Sequence, residues 1–96
     1  MSETTYVGDG TITTDLDGER GGRRAYSYII RANGWEYIGN DLELGPTEEQ
    51  SPVEVLADFL RASSEQSDLE HVFPEHVRAW AAENYDDLSI LAADKN

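Results

Sequence analysis

From Tyr6 to Leu16 the chain alternates, with Tyr6, Ile12 and Leu16 on one side and Asp9, Thr11, Thr13 and Asp15 on the other. A two-residue period of this kind predicts a half-buried strand. Gly8 and Gly10 interrupt it and point to a bulge or to close approach by another backbone. Residues 17–24, DGERGGRR, read as a charged loop whose three glycines permit positive φ.

Two apolar-rich runs, 25–32 and 35–44, flank Asn33-Gly34. This dipeptide favours a two-residue type I′ turn, because both central residues must take positive φ. The turn sets Ala32 opposite Trp35, Arg31 opposite Glu36, Ile30 opposite Tyr37 and Ile29 opposite Ile38. One face of the hairpin then carries Tyr26, Tyr28, Ile30, Trp35 and Tyr37, and the other Ala25, Ile29, Ile38 and Leu42. A small chain covers only one such face easily with its own helices. If that is the Ile29/Ile38/Leu42 face, the aromatic face is left open as a binding surface or dimer seam.

The period changes after residue 50. Ser51-Pro52-Val53-Glu54 places an N-cap serine, a proline at the first helical position and a glutamate two residues further in. Val53, Leu56, Ala57 and Leu60 follow on one stripe, with Val55 and Phe59 beside it. Residues 62–68 read as a polar linker. A second helix is expected to start at Pro74 and to bury Val77, Trp80 and Ala81, and Leu88, Ile90 and Leu91 suffice for one further docked turn. The pattern predicts one small α+β domain over 1–96: a three-stranded antiparallel meander in 1–44, then two helices in 51–93 packed on one face.

Charge changes the picture more than composition does. Twenty acids face seven bases, a net charge of -13. Residues 1–31 hold five acids and four arginines (-1), while 32–96 hold fifteen acids and three bases (-12). Such a chain repels nucleic acid and anionic membrane and attracts basic proteins. Six arginines against one lysine, Lys95, would also suit a GC-rich genome or adaptation to high salt. There is no cysteine, so no disulfide or thiolate chemistry. The N-terminal residues lack the basic and apolar regions of an export signal, which makes a cytoplasmic location the expectation.

Candidate chemistry is thin. Asp15, Asp17 and Glu19 alternate as in a calcium loop, but Arg20 stands where that loop needs glycine and Tyr26 where it needs a bidentate glutamate. His71 and His76 are too far apart to share a helix face, and no nucleophile elbow or phosphate-binding glycine motif occurs. The expectation is therefore no enzyme, no metal and no cofactor. Arg20, Arg23 and Arg24 read as a solvated loop that offsets Asp15, Asp17 and Glu19.

The acids divide in the same way. Glu48, Glu49 and Glu54 suit a helix N-terminus, and Asp58, Arg61 and Glu65 suit ion pairs along one helix. Glu83, Asp86 and Asp87 lie against a negative helix end and lack a structural role, unless Asp86 or Asp87 caps a following turn.

The leading expectation is an acidic binding protein that engages a basic protein surface through Glu65, Asp68, Glu70, Glu75, Glu83, Asp86 and Asp87. Its sharpest form is a phage-like DNA mimic that inhibits a nucleic-acid-binding protein, as anti-restriction and anti-CRISPR proteins do, with no direct nucleic-acid or membrane binding. The alternative is an accessory subunit or homodimer built on Tyr26, Tyr28, Trp35 and Tyr37, with acidity serving solubility.

Overall fold

Gly8 decides where the first strand ends. It takes φ +57 while Asp9 keeps a negative φ, the arrangement of a type II′ turn. The stretch that alternates from Tyr6 to Leu16 is thus two strands rather than one. The computed structural model describes residues 2–65 and 73–93. Strands β1 (Ser2–Val7), β2 (Gly10–Arg20), β3 (Arg23–Ala32) and β4 (Trp35–Leu44) form one antiparallel sheet in chain order. Helices α1 (Pro52–Glu65), α2 (Glu75–Glu83) and α3 (Tyr85–Ala93) follow. The class is α+β, with one strand and one helix more than the pattern predicts.

The charged segment 17–24 is not a loop. β2 runs to Arg20, Gly21 and Gly22 turn the chain with φ +59 and +83, and β3 resumes at Arg23. A register shift between Leu16 and Gly18 absorbs the extra residue. The hairpin at Asn33-Gly34 has both φ values positive, +53 and +82, and all four anticipated pairs are present.

The helices cover the aromatic face, which corrects the alternative. Tyr26, Tyr28 and Ile30 are buried with Ile12, Leu42 and Leu44 beneath α1 and α2. Trp35 stands edge-on to Trp80 at 6.0 Å, and Tyr37 edge-on to Phe73 at 6.1 Å. The reason lies in β4. Asp41 takes φ +67 at a second register shift, which turns Leu42 from the Ile38 side to the inner side, opposite Tyr26. Leu42 therefore adds to the aromatic face instead of competing with it. Tyr6, paired with Thr11, and Ile38, paired with Ile29, lie on the outer face, 74% and 65% exposed.

Two glycines allow this packing. A Cβ at Gly10 would sit 2.6 Å from the Arg31 carbonyl and 2.9 Å from the Trp80 ring, so only glycine lets Trp80 lie on the sheet. Gly39 leaves its place to the Tyr28 ring.

Helix α1 begins as expected. The Ser51 N–H donates to Glu54 Oε1 at 2.9 Å, and the Glu54 N–H donates to Ser51 Oγ at 3.3 Å, a reciprocal cap. Its stripe of Val53, Leu56, Ala57 and Leu60 is buried, each large side chain contributing roughly 1.5–3 kcal/mol. Phe59 stays 49% exposed. The helix continues through Ser63 and Glu65, where a polar linker was expected, because Ser63 is small enough to be buried. Pro74 caps α2 from an extended conformation, one residue outside the helix. The single docked turn expected after α2 is a nine-residue helix, α3, separated from α2 at Asn84.

Candidate functional site

The acids lose some of their mystery once the third helix is in place. Asp86 and Asp87 stand in the first turn of α3, where the helix dipole favours negative charge. Glu75 likewise sits in the first turn of α2. Glu83 closes α2 at its negative end and keeps no such support. Glu54 is buried in the cap of α1, and Asp58 is held by Arg61 at 2.6 Å and by Gln50 at 3.0 Å. Asp68, Glu70 and His71 lie outside the described residues.

Glu65 does not join the ion pair along α1. Its carboxylate accepts a hydrogen bond from the Tyr85 hydroxyl, which ties the end of α1 to the start of α3. That bond holds the Tyr85 phenol above its usual pKa, with the charges of Glu65 and Asp86 acting in the same direction and Arg61 opposing. Arg61 is itself engaged by Asp58. The structure thus ties Glu65 to the start of α3, where Glu83, Asp86 and Asp87 flank the α2–α3 joint. Glu75 is apart, at the far end of α2, about 12 Å away along the helix by its rise per residue.

Arg31 takes the partner expected of it, whereas Arg20 and Arg23 find others. Arg20 pairs with Asp41 at 3.5 Å, Arg23 with Glu43 at 3.3 Å and Arg31 with Glu36 at 2.5 Å. All three carboxylates belong to β4, so the arginines offset that strand and not Asp15 or Glu19. Asp17 accepts a hydrogen bond from Ser27 at 3.2 Å. Among the described residues no three His, Asp or Glu side chains gather as metal ligands would, and no helix is long and apolar enough to cross a membrane.

A feature outside the sequence reading lies beside β4. Between that strand and α1 runs a groove of about 420 Å³, lined by Tyr28, Tyr37, Leu42, Phe59 and Phe73, with Asp41 at its rim. Burial pushes the Tyr28 phenol up to about 12, helped by Tyr37 alongside. The signal available in the sequence was Phe59, a large apolar residue at the margin of the α1 stripe, together with Gly39 inside a strand.

Comparison with known proteins finds no matching family model, no matching curated protein and no matching solved structure. Fold and surface define a class only: an acidic α+β protein with a four-stranded meander covered on one face by helices.

Proposed function

We propose that this chain is a non-enzymatic acidic binding protein that engages a basic protein surface through its helical layer. The observation that carries the reading is the hydrogen bond from the Tyr85 hydroxyl to Glu65, which brings the carboxylate at the end of α1 to the start of α3, where Asp86 and Asp87 stand. Like charges placed together on exposed helix ends repel one another, and a basic partner relieves that repulsion. Glu83, at a negative helix end, adds to the same region at a cost to its own helix. The sharpest form of the reading is a DNA mimic: these carboxylates stand in for phosphates on a nucleic-acid-binding protein.

The dimer reading built on the aromatic face has lost its surface, since Tyr26 and Tyr28 are core residues and Trp35 and Tyr37 pack on the helices. The test is a binding assay between this protein and candidate nucleic-acid-binding proteins of its host, with duplex DNA as competitor. Complex formation should weaken steeply with salt and be displaced by DNA. Charge reversal of Glu65, Asp86 and Asp87 to lysine should lower affinity by about tenfold or more. A complex indifferent to salt, to DNA and to these reversals would overturn the proposal.

A further inference from the structure

β4 is the last strand of the sheet, and among the described residues no strand pairs with its free edge. In an antiparallel ladder the residues that flank a two-residue turn exchange both hydrogen bonds, and alternate residues point away from the partner. Trp35 and Tyr37 therefore bond to β3, while the backbone N–H and C=O groups of Glu36 and Ile38 face outward. Open edges are ordinarily blunted by lysine, proline or an early bulge. Between Trp35 and Asn40 this strand has no lysine or proline, and its bulge comes only at Asp41.

The aromatic groove runs along the same edge. A strand laid beside β4 would turn alternate side chains into it, against Tyr37, Phe59 and Phe73, and the others outward beside Ile38. Gly39 helps, because it puts no side chain on the inner side of the edge, where the Tyr28 ring lies instead. A site of this build draws affinity from main-chain hydrogen bonds and specificity from the pocket.

Charge selects the occupant. No basic residue lines the groove, and its one charged lining residue is Asp41. Asp41 is paired with Arg20 at 3.5 Å, but both side chains are about two-thirds exposed, so a partner's cation can take over that carboxylate. A second copy of this chain would bring another net thirteen negative charges to the edge. We propose that the free edge of β4 and the Tyr37–Phe59–Phe73 groove form a strand-addition site for an extended peptide that alternates aliphatic side chains with lysine or arginine. The basic character of the occupant rests on the function proposed above, whereas the location does not.

The experiment selects peptides on the whole protein from a display library of random sequences and measures them by fluorescence anisotropy and amide hydrogen exchange. Selected sequences should be rich in Lys and Arg at alternate positions, and the Glu36 and Ile38 amides should become protected on binding. Ile38→Pro removes an N–H that faces solvent, leaves the ladder to β3 intact and should lower affinity roughly tenfold or more. Should that variant fold poorly, Phe59→Ser, at a half-exposed position, tests the groove instead and should show a similar loss.

Charge reversal at Glu65 and Asp86 separates the two proposals. It abolishes binding to a basic protein if the helical layer is the contact, while leaving protection of Glu36 and Ile38 by the peptide in place. Three results would overturn the site: selected peptides that leave these amides exchanging freely, selected peptides without basic residues, or self-association of the protein that Ile38→Pro abolishes.

Discussion

Tyr28 shows how one absent side chain sets the chemistry of another. Its ring fills the space that Gly39 leaves, and burial there raises its phenol from 10.0 to about 12. The fold thus favours the protonated form. The stabilisation is complete below about 10, where the unfolded phenol is also protonated, and it is lost as pH rises towards about 12. Urea unfolding at stepped alkaline pH should show stability falling through that window, and Tyr28→Phe should remove this part of the fall. An identical alkaline loss in the variant would mean that other groups cause it. At this scale the sequence was half legible. Gly10 announced the close approach of another backbone, which is the Arg31 carbonyl, but not that of Trp80, far along the chain, which no local pattern encodes. Asp86 and Asp87 were legible as acids, yet their role depended on whether a helix starts at Tyr85.

Elements with a chemical signature at their ends start where the sequence places them, and α2 starts within one residue of Pro74, whereas α3 reads in the sequence as only one turn. Ser51, Pro52 and Glu54 start α1 where their side chains demand, and Asn33-Gly34 sets the hairpin register through its own φ values. Helix α2 follows Pro74 with no side-chain cap, and α3 is set off at Asn84, whose amide donates to the Trp80 carbonyl at 2.9 Å. The first hairpin was missed because Val7-Gly8-Asp9-Gly10 sits inside an alternating run that reads as continuous. Which face is covered stayed open in the sequence because both faces of the hairpin are apolar, and the bulge at Asp41, which breaks the tie, leaves no mark on the alternation. Since α1 depends on a reciprocal cap, Ser51→Ala should destabilise the protein by about 1 kcal/mol. Chemical unfolding measures this directly, and Ser51→Asp, which keeps a capping oxygen, should recover most of the loss. An unchanged midpoint in Ser51→Ala would show that tertiary packing alone holds the start of α1.

Across the whole molecule the charges sort themselves. On β4 each carboxylate has an arginine partner, while Glu65, Glu83, Asp86 and Asp87 gather on the helical layer with Arg61 already engaged. Exposed ion pairs contribute little each, about 0–1 kcal/mol, whereas thirteen uncompensated charges repel throughout. Salt should therefore stabilise the fold. Urea midpoints should climb as sodium chloride shortens the Debye length to about 10 Å near 0.1 M and below it at higher concentrations. Falling midpoints would show that the β4 pairs outweigh the general repulsion.

The contact of Trp80 with Gly10 has a consequence for biogenesis. The four strands are neighbours in the chain, so the meander can assemble as soon as residues up to Leu44 have left the ribosome. Its inner face then has no cover over Gly10 and Ala32 until α2 is translated. Until then the nascent chain shows the cell the aromatic end of its inner sheet face around Trp35, a face that the later acidic helices mask.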